Sequence, residues 1–210
     1  MNKKTILILI ALLGIVLVGI VGYFQVLKPQ VENRTVEVAT AMPIANNEVP
    51  LAFSYTSGVD ALAMVEPPVS STSPNGLKKV YLLFDNQAYV EYSSDGSDVS
   101  LPPAISIFAV SYASSTTVAP IEGADRLTKL RTWAQQNPQF SAWTIKSSEV
   151  EEVEVDGASA IRYQASGTYE QEVYVVFYQD NIYVFAGQFE QDSDLIRTSF
   201  QELINSVIFE

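Results

Sequence analysis

Residues 148–188 read SEVEEVEVDGASAIRYQASGTYEQEVYVVFYQDNIYVFAGQ, and the turns in this stretch decide the fold. Asp156-Gly157 is the strongest short hairpin signal in the chain, since a two-residue hairpin turn needs positive φ at its central positions and Asp-Gly tolerates it. It joins a strand over 148–155 to one over 158–164. Ser166-Gly167 turns into a third strand over 169–178, and Asp180-Asn181 into a fourth over 182–188. Aromatic and β-branched residues fill the last two, as suits central positions in a sheet. The stretch is a four-strand meander.

A helix over 193–205 follows, with Leu195, Ile196, Phe200, Leu203 and Ile204 in one apolar stripe. Asp192 or Ser193 is expected to cap it, and Asp192 and Asp194 also suit the positive end of the helix dipole. Val207-Ile208-Phe209 is expected to return as a short edge strand.

Upstream, 124–136 is the first helix expected beyond the N-terminal segment. Leu127, Leu130 and Ala134 share a face, Trp133 lies beside them, and Arg126, Lys129 and Arg131 face outward. Asn137-Pro138 ends it, because a residue before proline avoids helical geometry. Before it come short strands over 51–55, 61–65 and 104–112, and a pair over 79–84 and 87–92 that Asp85-Asn86 is expected to join as a hairpin. Residues 70–76 form a polar loop.

The N-terminal part differs in kind. No charged residue occurs over 5–27, a run longer than the roughly 20 apolar residues that cross a hydrocarbon core about 30 Å thick. Lys3 and Lys4 precede it, so the positive-inside rule places the start in the cytoplasm and the rest outside. A cleaved signal peptide is the competing reading. Its apolar region is usually about 7–15 residues, with a small-residue cleavage site close behind. Here the best such site, Ala39-Thr40-Ala41, lies well downstream. The expected organisation is a membrane anchor over 1–28, a linker over 29–49 whose weakly alternating 35–41 is able to pack on the domain, and a single domain over 50–210.

Beyond residue 28 the chain carries nine basic and all 24 acidic residues, a net charge of −15. Such a surface repels phosphate backbones, and no nucleic-acid partner is expected. With no histidine and no cysteine, imidazole and thiolate metal ligands and every Ser-His or Cys-His nucleophile are excluded. Carboxylate pairs, Ser-Lys dyads and oxygen-only metal sites remain, and no Ser-x-x-Lys spacing leads into a helix. Asp95-Gly-Ser-Asp98 offers hard oxygens to Ca²⁺ but lacks the EF-hand pattern, and a polar turn accounts for it. Glu149, Glu151, Glu152, Glu154 and Asp156 form a denser acidic run; on a strand Glu152, Glu154 and Asp156 share one face, with Val153 and Val155 inward. A solvated strand face accounts for that run, and a patch for a cation or a basic partner is the alternative. Trp143, after the helix, marks either a contact site or the edge of the core. Tyr169, Tyr174, Tyr178 and Tyr183 read as sheet packing. No catalytic residue, cofactor-binding residue or metal ligand is assigned.

Several pieces resemble the PsbP/Mog1-like family. They are Phe53-Ser-Tyr55, Ile105-Ser-Ile107, Val155-Asp-Gly157-Ala-Ser-Ala160-Ile-Arg-Tyr163, Ile182-Tyr-Val-Phe185, and Phe200 with Ser206-Val-Ile-Phe209. The resemblance implies an α+β fold of α/β/α sandwich type, an antiparallel sheet with helices on both faces, here preceded by one transmembrane helix. It implies no reaction, since members mostly act by binding or assembly. The function expected is a membrane-anchored, extracytoplasmic, non-catalytic binding or assembly module of the bacterial cell envelope. Its partners would be the membrane, through the N-terminal helix, and a protein or envelope component. A carboxylate-based cell-wall hydrolase and a purely structural envelope protein are the alternatives.

Overall fold

The structure is a computed structural model and describes residues 42–43, 49–58, 61–70, 76–95, 101–115, 126–191 and 194–210. The expected membrane anchor lies outside the described residues, among which no helix is long and apolar enough to cross a membrane. Ten strands are described: β1 (Met42–Pro43), β2 (Leu51–Phe53), β3 (Leu62–Val65), β4 (Leu77–Asp85), β5 (Ala104–Ser111), β6 (Glu151–Val155), β7 (Ala158–Ser166), β8 (Glu170–Tyr178), β9 (Asn181–Phe189) and β10 (Ile208–Phe209). Seven make one antiparallel sheet in the order β3-β4-β5-β9-β8-β7-β6. The other three, β1-β2-β10, make a small antiparallel sheet. Met42–Pro43, within the stretch read as linker, thus pairs with the domain.

The meander of β6 to β9 is present. Asp156 and Gly157 have φ of 48° and 71°, as the mirror-image hairpin turn requires. At the β8–β9 hairpin the turn sits one residue earlier than expected, with Gln179 and Asp180 at φ 43° and 60°. Asn181 is the first residue of β9 and closes the turn by donating from Nδ2 to the Gln179 carbonyl at 2.9 Å.

One expected element is corrected. Residues 87–92 do not return as a hairpin strand; the chain leaves β4 straight into helix α1 (Asn86–Asp95). Asp85 is the reason: its carboxylate accepts the Ala88 N–H at 2.9 Å, the side-chain cap of a helix start. Gln87 and Glu91 pair one turn apart at 3.0 Å, and Tyr89 stacks on Phe84 with ring centres 5.0 Å apart. The expected helix over 124–136 is therefore not the first; it is described as α3 (Arg126–Gln136), after the single turn α2 (Tyr112–Ser115). A further turn, α4 (Pro138–Ser141), opens on Pro138, where a missing N–H does no harm. The one-turn 3₁₀ helix Trp143–Ile145 leads on to β6.

The seven-stranded sheet has a core on each face. On one, Leu130, Trp133 and Ala134 of α3 pack on Ile161, Tyr163, Val173, Val175, Ile182 and Val184. On the other, helix α5 (Leu195–Ser206) lays Ile196, Phe200 and Leu203 on Ile105, Tyr174 and Phe185. Beside α5 the small sheet covers the rest of that face with Leu51, Phe53 and Phe209. Helices thus lie on both faces. Ser206 ties α5 to the end of β2, accepting the Ser54 N–H at 2.8 Å while its hydroxyl donates to the Leu203 carbonyl at 2.8 Å. The residue before α5 is Asp194, and its carboxylate accepts N–H groups of Glu190 and Gln191, at 2.7 and 2.8 Å, not those of the helix. Asp192 and Ser193, expected as caps, lie outside the described residues.

Gly187 sets how closely α5 approaches. A Cβ there would lie 2.5 Å from Phe200 Cγ. Gly187→Ala is expected to cost about 1–3 kcal/mol by overpacking, measured by chemical denaturation, and Gly187→Ala with Phe200→Leu to recover part of it. An unchanged midpoint in the single variant would show that Phe200 does not rest on the bare strand.

Candidate functional site

The most deeply buried charge in the described residues stands on the α5 face. Glu172 is fully buried on β8, and period-2 alternation puts it on the same face as Tyr174 and Val176. Arg162 on β7 donates from Nε to Glu172 Oε1 at 2.8 Å, and Tyr174 donates its hydroxyl to the same oxygen at 3.2 Å. Gln201 of α5 donates to Oε2 at 2.5 Å. Arg162 also faces Glu151, its cross-strand partner on β6, at 3.6 Å. The row Glu151–Arg162–Glu172 spans three strands, with one cation between two carboxylates. Both oxygens of Glu172 are engaged by the protein itself, by three of the roughly four bonds a carboxylate can accept, and the residue is fully buried.

The sequence reading passed over this row, although a signal was present. In Glu170-Gln-Glu-Val-Tyr-Val-Val176, alternation puts Glu172 with Tyr174 and Val176, a set apolar enough to face a core of its own opposite that of Val173 and Val175. An acid on the inward face implies a partner, because a buried unpaired charge is very costly. Arg162, by the same alternation within β7, faces the same way.

The acidic run that sequence reading singled out is placed as expected in one respect and dispersed in another. Val155 is buried and Val153 half-buried, while Glu151, Glu152 and Glu154 are exposed along β6. Arg131 reaches Glu152 from α3 at 3.1 Å. Asp156 sits in the hairpin turn, where its carboxylate accepts the Phe209 N–H at 2.8 Å, fastening β10. Among the described residues no three acidic side chains gather closely enough to hold a metal ion. Residues 96–98 of the candidate Ca²⁺ turn lie outside them.

Asp156 also borders a shallow cleft of about 290 Å³ at the end of the sheet, lined with Arg126, Gly157, Phe177, Tyr178 and Gln179 among others. Arg126 reaches Ser159 Oγ at 3.4 Å.

The aromatic residues pack. Trp133 is fully buried and donates to Ser115 Oγ at 2.8 Å. Trp143 is half-buried, meets Tyr163 edge-on at 5.2 Å and carries the Lys146 ammonium over its ring, so it covers the edge of the core. Tyr174 and Tyr183 are buried in the α5 face, and Tyr178 stacks on Phe209 at 4.8 Å. Tyr169 is half-buried and donates to the Leu101 carbonyl at 3.1 Å.

Burial, aided by the charge of Glu172, pushes Tyr174 up to about 12, and burial likewise pushes Tyr183 up to about 12. Burial raises Tyr81 and Tyr163 as well.

A scan against known protein families and a search of curated proteins both return no match. Among solved structures, the solution structure of cyanobacterial PsbP from Synechocystis sp. PCC 6803 is similar at 14% identity with a TM-score of 0.47, over 87% of this chain and 99% of that one. It belongs to the family that the motifs of the sequence resemble. A crystal structure of a protein from Bacteroides thetaiotaomicron VPI-5482 is similar at 10% identity with a TM-score of 0.39, over 77% of this chain and 45% of that one.

Two predictions follow from the charges. Glu172→Gln removes the buried partner of Arg162, which keeps Glu151 and part of its hydration; it is expected to cost about 1–3 kcal/mol in chemical denaturation. Arg131→Ala, which breaks an exposed pair, is expected to cost under about 1 kcal/mol. Equal losses would show that Glu172 is not the buried member. The tyrosines set the alkaline limit. A phenol whose folded pKa is raised contributes stability in full below its unfolded value of about 10. That contribution is lost as the pH rises through the folded value of about 12 for Tyr174 and Tyr183. Unfolding free energy is expected to fall between these limits, with tyrosinate absorbance appearing in a late step. All phenols titrating together near pH 10 in the folded protein would contradict this.

Proposed function

We propose that this chain is a membrane-anchored, extracytoplasmic module of the bacterial cell envelope that binds or assembles with another protein or envelope component and performs no chemistry of its own. Glu172 carries the reading. The buried carboxylate among the described residues is bonded on both oxygens, to Arg162, Tyr174 and Gln201. Hydrolysis by paired carboxylates needs two acids about 5–10 Å apart with a substrate bond between them. Glu151 and Glu172 instead share one guanidinium, which occupies the space between them.

The location is supported by the uncharged run over 5–27, long enough to span a bilayer, and by the lysines before it. The partner class is supported by the acidic balance beyond residue 28, which disfavours nucleic acid. The family that the motifs resemble acts mostly by binding or assembly, in keeping with this reading.

Expressed as the full chain with a tag after Glu210, the protein is expected in the membrane fraction after alkaline carbonate washing, with the tag removed by protease added outside the inner membrane. Recovery in the soluble fraction, or a tag that survives such protease, would overturn the location. Incubation with peptidoglycan is expected to release no fragments; release that a single carboxylate substitution abolishes would replace the binding reading with the hydrolase. Cross-linking in intact membranes is expected to capture a discrete partner, and repeated capture of nothing would favour a purely structural role.

A further inference from the structure

The cleft at the end of the large sheet carries two opposite charges that do not pair. Arg126, Asp156, Phe177 and Tyr178 all line its roughly 290 Å³. Arg126 and Asp156 are both exposed, and among the described residues no ion pair joins them. The Arg126 guanidinium reaches Ser159 Oγ at 3.4 Å, a long hydrogen bond. Asp156 gives its Oδ2 to the Phe209 N–H, and a carboxylate has further acceptor capacity on its other oxygen.

Arg126 stands apart from the other cations of the sheet. Lys79, Arg131 and Arg162 each hold a carboxylate; Arg126 holds none, in a chain with 24 acidic residues against 12 basic ones. It also opens α3, where a cation works against the helix dipole. Stability does not account for a guanidinium in that place.

The topology supplies the rest of the cleft. The turns at Asp156-Gly157 and Gln179-Asp180 stand at one end of the sheet, and a Cβ on Gly157 would meet nothing within 4 Å. Phe177 packs with the α3 layer and Tyr178 with the α5 layer. Both are half-buried, so ring surface borders the cleft from either face of the sheet.

A guanidinium binds a carboxylate through paired N–H donors, and a carboxylate oxygen accepts from an ammonium group. A plain anion would be repelled by Asp156 and by the acidic surface around it, and a plain cation by Arg126. A molecule carrying both charges suits both ends. Two rings stand along the same cleft, so the charges are best joined by an apolar spacer longer than a single amino acid provides. The volume lies at the lower end of the roughly 300–1,000 Å³ usual for small-molecule sites, which keeps the ligand short.

We propose that this cleft binds a short apolar peptide of two or three residues with free termini, its carboxylate on Arg126, its ammonium on Asp156 and its side chains on Phe177 and Tyr178. This deepens the binding reading by naming a ligand class, and it does not depend on the membrane location. Its failure would leave the fractionation and cross-linking outcomes above as they are.

The test uses the full chain in lipid nanodiscs, with empty nanodiscs as the control, and alanyl-leucine as the probe. Saturation-transfer NMR is expected to show binding with Kd on the order of 1 mM, as suits an open cleft. Acetylating the amine or amidating the carboxylate is expected to weaken binding by about fivefold each, the worth of an exposed charge pair. Arg126→Gln is expected to abolish the preference for the free carboxylate. Asp156→Asn, which keeps an acceptor for the Phe209 N–H, is expected to abolish the preference for the free amine. No transfer at about tenfold the expected Kd, capped forms that bind as well as the free peptide, or preferences that survive both substitutions would overturn the proposal.

Discussion

The constraint on which the structure depends is that β9 is buried on both faces. From Asn181 to Phe189 every residue but Gln188 is buried, so the usual in–out alternation of polarity is absent. A strand of this kind is stable only in the middle of a sheet with a layer packed on each side. β5 and β8 supply its hydrogen-bonded neighbours. Trp133 and Leu130 supply one layer, and Phe200 and Leu203 the other. Full burial of one such side chain contributes roughly 1.5–3 kcal/mol, against about 1 kcal/mol or less for an exposed ion pair such as Arg131–Glu152. The two apolar layers, not the surface charges, hold the domain together.

Within the α5 layer the charges of Arg162 and Glu172 act on geometry more than on net stability. Removing two charges from water costs several kcal/mol per ion, which their attraction offsets only when further hydrogen bonds complete the shell. Tyr174 and Gln201 complete it for Glu172. Because Gln201 belongs to α5, the shell closes only when the helix is seated at one rotation and one height. Gly187 imposes the same setting from beneath, since Phe200 has room only over a residue without a side chain. An apolar stripe tolerates sliding along a sheet; these two contacts do not.

How much of this was legible follows from the range over which each signal acts. Asp156-Gly157 encodes its own turn, so the ends of β6 and β7 that meet there are legible to the residue while their far ends differ by two or three, and the stripe of α5 reports its own buried face. The hairpin at Asp85-Asn86 was misread for an equally local reason: a two-residue polar break between apolar runs resembles a turn, and the competing signal, Asp85 three residues before Ala88, is a helix cap. At Gln179–Asn181 the turn slipped by a residue because two polar pairs were available and the backbone chose the one that lets Asn181 close it. The separation of β2 and β10 into a small sheet of their own was not legible. It depends on pairings such as Leu51 with Phe209, more than 150 residues apart in the chain, and alternation within a strand does not say which strand lies beside it. The Glu172 row was legible in half. The inward acid is visible from the pattern, whereas its donor on α5 is fixed only by tertiary packing.

The acidic run on β6 lies at an edge of the large sheet. A seven-stranded open sheet has two edges, β3 and β6, and an open edge is a template for another strand. β3 limits its exposure by being four residues long. β6 carries Glu151, Glu152 and Glu154 in a span of five residues, all exposed, and an incoming strand would have to set its own backbone among them. Arg131 and Arg162 reach two of these acids from other elements and hold them in place beside the edge, so the charges act there as a fixed barrier. An edge guarded in this way does not take up a neutral strand.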